Sequence, residues 1–128
     1  MRKNPVAVLC CFLLVLLLVG CGKAVGGSEI YTFPEPTTQI AGSFYSQGQE
    51  TPFRIGAEDC SSVIKWFYGL EATACDEPGM VEEAESYAFY VNGDYAFTYE
   101  DRGSVSYIII DGNYYKVRNP SVPPTAES

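Results

Sequence analysis

From Ser86 to Val117 the chain alternates apolar and polar residues with a period of two, and glycine-containing pairs interrupt the alternation. Tyr87, Phe89 and Val91 are followed by Tyr95, Phe97 and Tyr99, then by Val105 to Ile110, then by Tyr114, Tyr115 and Val117. Successive side chains of a strand point to opposite faces, so this pattern buries one row of residues only as a sheet. Asn92-Gly93, Arg102-Gly103 and Asp111-Gly112 supply residues that tolerate positive φ at tight turns. The reading is four antiparallel strands in a meander.

Register decides which row is buried. A two-residue loop at Asn92-Gly93 would set Val91 against Asp94 and Phe89 against Ala96, with the aromatic rows on different faces. A three-residue loop, Asn92 to Asp94, sets Val91 against Tyr95 and Phe89 against Phe97. The longer loop is expected, because a slip of one residue exchanges the two faces. At Asp111-Gly112 a two-residue loop places Ile108 opposite Tyr115, Ile109 opposite Tyr114 and Ile110 opposite Asn113.

Upstream, Cys60, Val63, Ile64, Phe67 and Leu70 recur at spacings of three and four, which puts them on one helical face. Asp59 suits the N-cap of that helix. Trp66 and Tyr68 lie off the stripe and widen the buried face or form an exposed aromatic patch; the buried use is favoured. Ile40, Phe44 and Tyr45, then Phe53 and Ile55, flank the polar stretch Ser46 to Glu50 and read as a further hairpin. The expected fold is α+β: one helix packed on an antiparallel sheet, with the C-terminal four-stranded meander and the extra N-terminal hairpin. The helix covers one face of such a sheet and leaves the other open to solvent. Tyr90, Tyr95, Tyr99 and Tyr114 are candidates for a contact surface there, since tyrosine offers large contact area at low entropic cost. The competing reading is that tyrosines are simply good strand formers.

The N-terminus carries a different kind of signal. Met1-Arg2-Lys3 precedes an apolar run from Val6 to Val19, which closes on Leu18-Val19-Gly20-Cys21. This resembles a bacterial lipoprotein signal peptide with its lipobox. The resemblance implies a diacylglyceryl (palmitate-type) anchor on the Cys21 thiol, cleavage between Gly20 and Cys21, and a protein held on the extracytoplasmic face of the cell membrane. More than one acyl chain is needed for stable anchoring. Gly22 is not the aspartate that marks inner-membrane retention, so transfer to an outer membrane is open if the cell has one. The other reading of Val6–Val19 is an uncleaved membrane helix. Fourteen apolar residues are few against the roughly 20 that a bilayer core needs.

Residues 21–38 mix glycine, serine and proline and read as a lipidated flexible tether, 39–119 as the domain, and 120–128 as a disordered tail. About seventeen tether residues would hold the domain a few tens of ångströms off the bilayer. Loss of Arg2 and Lys3 with the signal takes the formal charge from −8 to −10. Such a field disfavours nucleic acid and anionic headgroups and favours cationic partners or divalent ions, so no nucleic-acid partner is expected. The run from Ser104 to Pro124 is similar to the ends of small Gram-positive lipoproteins that carry no assigned activity, so it transfers no functional residue.

Chemistry is sparse. With no histidine, the Ser-His-Asp and Cys-His sites and the usual zinc ligand sets are excluded. Asp76, Glu77, Glu82, Glu83 and Glu85 read as a solvated acidic loop, with Glu82 and Glu83 as part of an interaction surface; their spacing fits no calcium loop. No cofactor is expected. Cys60 and Cys75 are expected to form a disulfide, since the five residues after the helix can return along its length and export permits oxidation. One buried and one idle thiol is the alternative. The functional expectation is a lipid-anchored binding module that meets a cationic or envelope protein. A narrower form is an inhibitor or immunity protein against a cationic hydrolase; a wall-polysaccharide enzyme using paired carboxylates is the other class, and a passive accessory subunit a third.

Overall fold

The computed structural model describes residues 23–80 and 83–125. Eight strands form one antiparallel sheet: β1 Ala24–Gly26, β2 Ile40–Ser46, β3 Gln49–Ile55, β4 Glu71–Cys75, β5 Glu85–Val91, β6 Asp94–Asp101, β7 Ser106–Ile110 and β8 Asn113–Val117. Their spatial order is β1-β4-β8-β7-β6-β5-β2-β3. A short helix, α1 Gly27–Ile30, follows β1, and the main helix, α2 Cys60–Tyr68, precedes β4. The class is mixed α+β, dominated by sheet.

The meander and the N-terminal hairpin form as their patterns require. Gln47-Gly48, Asn92-Gly93 and Asp111-Gly112 each place two successive residues at positive φ, the conformation of a two-residue hairpin loop. Ile108, Ile109 and Ile110 pair with Tyr115, Tyr114 and Asn113. The β5–β6 hairpin departs from the expected three-residue loop. Val91 pairs with Asp94 across a two-residue turn, and the register then shifts between Phe89 and Tyr90, so that Tyr90 opposes Tyr95 and Phe89 opposes Phe97. Ala96 is the extra residue. The bulge lets a favourable turn and a coherent aromatic row coexist.

That row meets α2. Val63 and Phe67 of the helix are fully buried, and the Phe67 ring stacks on Phe97 with centroids 4.2 Å apart while Phe89 stacks on Phe97 at 4.9 Å. Trp66 and Tyr68 serve the wider buried face. Trp66 packs against Tyr99 at 5.1 Å, and the Tyr68 hydroxyl accepts a hydrogen bond from the Phe33 amide at 2.9 Å. Asp59 occupies the N-cap position but its side chain makes no capping bond; a 3₁₀ turn, Ala57–Asp59, leads into the helix instead.

Two segments expected to be unstructured are parts of the fold. Residues 24–33 form β1, α1 and a core insertion rather than a tether. β1 pairs with β4, and Phe33 is 4% exposed between Phe67 and Phe97. Gly27 makes this close approach feasible, because a Cβ there would lie 1.9 Å from the Phe67 carbonyl oxygen. Residues 36–39 are pinned in turn by Asn92, whose side chain accepts from the Thr38 and Gln39 amides and donates to the Pro36 carbonyl. At the other end, the tail does not trail into solvent up to Thr125. Asn119 bridges the Glu71 amide and the Gly69 carbonyl, the Ser121 amide donates to the Tyr99 hydroxyl, and Pro123 is fully buried.

The Cys60–Cys75 disulfide is not present; both thiols are free. Residues 71–75 do not return along α2. They form β4, whose end at Cys75 lies beside Tyr114 of β8, while the Cys60 thiol is buried near Ile40 of β2 and donates to the Gly56 carbonyl. Four strands separate β4 from β2. Strands of a sheet stand about 4.8 Å apart, far too much sheet for a bond that needs Cα atoms within roughly 7 Å.

Candidate functional site

The helix and the docked termini cover one face of the sheet. The pleat and the registers define the other. Its central row runs Ser43, Ala88, Thr98, Ile109, Tyr114 and Cys75 across five successive pairings. The three residues at the β2 end of this row are small. Tyr90 and Tyr95 pair on one side of it, and Tyr45 lies on the other. Ser43, Ala88 and Thr98 thus floor a shallow furrow with tyrosine walls.

The walls are exposed. Tyr45 and Tyr90 are each 43% exposed and Tyr95 is 45% exposed. Tyr90 and Tyr95 meet edge to face with centroids 5.6 Å apart, and the Tyr95 hydroxyl shares a hydrogen bond with the Thr98 hydroxyl at 2.7 Å. Opposite, Glu50 accepts from the Ser43 hydroxyl at 2.7 Å and from the Tyr45 hydroxyl at 3.3 Å. These bonds fix the Tyr45 and Tyr95 rings against their strands, and an ordered side chain has less conformational entropy left to lose in any contact. The pieces come from local sequence: small residues at alternate positions of central strands, with tyrosines next to the turns.

The sequence-derived candidates divide between the faces. Tyr90 and Tyr95 belong to the open face. Tyr99 does not: it is 1% exposed, on the helix side, and its phenol is pushed up from the ordinary value by burial, partly offset by hydrogen bonds from Ser106 and the Ser121 backbone. Its place follows from the bulge, since Tyr95 and Tyr99 lie on one face only in an uninterrupted strand. Tyr114 is on the open face but half-covered, at a corner with Tyr107. Its phenol is also raised, by desolvation first and then by the Glu77 and Glu100 carboxylates. Tyr45 was missed, although the alternation of Phe44 and Tyr45 signals that one of the two faces outward.

Arg102 holds the acidic loop over that corner. Its guanidinium pairs with Glu100 at 3.0 Å, donates to the Gly79 carbonyl at 2.6 Å and lies 5.2 Å from the Tyr107 ring centre. Glu83 is exposed in the turn before β5, whereas Glu82 lies outside the described residues. Asp76 and Glu77 line a small cleft with Cys75, Asn113 and Tyr114. Among the described residues, no three cysteine, aspartate or glutamate side chains converge as a metal site would require. The Cys75 thiol is raised by partial desolvation and by Asp76, although the residue as a whole is exposed. The Cys60 thiol is raised by burial and then by Asp59. Neither thiol is activated as a nucleophile at neutral pH.

Gly20 and Cys21 lie outside the described residues, as does the Val6–Val19 run. No helix among the described residues is long and apolar enough to cross a membrane. The chain matches no protein-family model, and no curated protein and no solved structure is similar enough to count as a match.

Proposed function

We propose that the chain is a lipid-anchored, extracytoplasmic binding domain of the bacterial cell envelope, attached through Cys21 and acting by association rather than catalysis. The observation that carries this reading is the open sheet face, where three tyrosines more than two-fifths exposed stand around a floor of small residues. Aromatic walls in a fixed geometry provide contact area, and hot spots of interfaces are enriched in tyrosine. The formal charge of −10 after processing supports a cationic partner, met by Glu50 beside the furrow and by the acidic loop. An inhibitor of a basic hydrolase is the narrower form of the same reading, supported by that charge.

The experiment is crosslinking of the full-length lipoprotein in its native membrane, comparing the wild type with the Tyr90→Ala, Tyr95→Ala double variant. The expected result is one protein recovered at fixed ratio with the wild type, weakened by high salt and lost from the variant. Equal recovery with both proteins would sink the open face as the binding surface.

A further inference from the structure

We infer that the domain is seated directly on the bilayer, with the β1 edge and the Cys75 corner of the sheet against the headgroups and the Gln47-Gly48 turn facing away. The inference rests on the lipidation of Cys21 proposed above and adds to it a distance and an orientation.

The distance follows from where the fold begins. β1 starts at Ala24, three residues after Cys21. A chain spans at most about 3.6 Å per residue, so the lipidated cysteine lies within about 11 Å of a hydrogen-bonded strand whatever path those residues take. A seventeen-residue flexible tether would instead give an average span of roughly 20–25 Å. Three register pairs with β4 hold β1, and beyond it the link ends in any case at Gly27. Gly26 leads without a break into Gly27, whose amide donates to the Leu70 carbonyl at 2.9 Å against the backbone of Phe67, and Phe33 fills the core a few residues later.

The orientation follows from register. Gly26 pairs with Glu71 and Ala24 with Thr73, so β4 runs toward the side from which the chain arrives from Cys21. Cys75 lies two residues further along, at the corner nearest the anchor. The Gln47-Gly48 turn joins β2 to β3 at the far edge. Six strand spacings separate β1 from β2, about 29 Å measured along the sheet. Asp76 and Glu77 occupy the anchored corner, so attraction to anionic lipid does not set this seat; the short covalent link does.

The test uses the processed lipoprotein in vesicles of phosphatidylcholine and phosphatidylglycerol that carry a headgroup spin label as fluorescence quencher. The native Cys75 thiol is exposed and takes a fluorophore, whereas Cys60 is buried. A second probe is placed by Gln49→Cys in a Cys75→Ser background, at an exposed position beside the distant turn. The Cys75 probe is expected to be quenched several-fold more strongly than the Gln49 probe, and a flexible insert of roughly twelve residues between Gly22 and Lys23 should bring the two close to equality. Equal quenching without the insert overturns the seat. Flotation with the vesicles reads the anchor separately: failure to float, matched by Cys21→Ser, removes both lipidation and seat, while floating with equal quenching removes the seat alone.

Discussion

The two faces of this sheet use the same residue type for opposite ends. Tyr99 on the helix side is as buried as the phenylalanines around it and offers its hydroxyl to the backbone of Ser121. Tyr95, four residues earlier on the same strand, stands in solvent with its hydroxyl tied to Thr98. In an unbroken strand these two would share a face. A single extra residue, Ala96, separates them, and with them the core from the candidate site. Composition therefore says little about which tyrosines face solvent and which fill the core; register says it.

The largest expected effect is on the covered face. Phe97 is fully buried, stacked between Phe67 and Phe89. Phe97→Ala removes a ring at the centre of a small core, and such truncations cost about 3–5 kcal/mol. Against a total stability of about 5–15 kcal/mol, most of the folded population is at risk. Urea denaturation of the protein and its variant measures the loss. A cost below about 1 kcal/mol would mean that the aromatic row is not the core, and the contrast between the faces would fail.

How far this contrast was legible in the sequence follows from the same residues. The alternation from Tyr87 to Val117 and the positive-φ turn pairs specify the meander, and the Asp111-Gly112 hairpin takes the register its two-residue loop dictates. The bulge was not legible, because the tight turn and the aromatic row each demand a different loop length and only a local insertion satisfies both. β1 and β4 were missed for a simpler reason. Ala24-Val25-Gly26 and Glu71-Ala72-Thr73-Ala74-Cys75 carry small side chains with little contrast, and they form strands because β8 offers an edge to β4 and β4 offers one to β1. The apolar group Ile30, Tyr31 and Phe33 was the available signal that residues 21–38 do more than link. The open furrow was legible as a tyrosine-rich face, but not its membership.

A smaller effect sharpens the comparison through pH. Tyr99→Phe keeps the ring and removes the hydroxyl that receives the Ser121 amide, at a cost of about 1 kcal/mol at neutral pH. The phenol of Tyr99 is raised above its ordinary value of 10.0 by burial. The folded state therefore holds its proton where the unfolded chain releases it. Its contribution is complete below pH 10 and is lost as pH rises through the raised value. Tyr31 and Tyr87 are raised by burial as well and act in the same direction, and the Cys60 thiol begins to do so above its ordinary 9.0. Thermal unfolding followed from pH 8 upward should show stability falling beyond about pH 9, with a shallower fall above pH 10 in Tyr99→Phe than in the wild type. Parallel slopes would show that Tyr99 titrates alike in both states and is not enclosed.

The smallest stability effect belongs to the open face, and there a small number is the informative one. Tyr90 and Tyr95 touch each other edge to face at 5.6 Å and each keeps more than two-fifths of its surface in water. An aromatic pair of this kind is worth about 0.5–1.5 kcal/mol beyond the area it buries. A double-mutant cycle with Tyr90→Ala and Tyr95→Ala should return a coupling of that order, and each single variant should unfold within about 1–2 kcal/mol of the wild type. The same substitutions, if the furrow is an interface, should weaken partner recovery far more than they weaken the fold, because an exposed ring contributes to binding only once a partner removes it from water. A coupling of core magnitude would assign the pair to the framework and leave the furrow without its walls. A small coupling joined to a large loss of binding would separate the two faces by function as cleanly as Ala96 separates them by register.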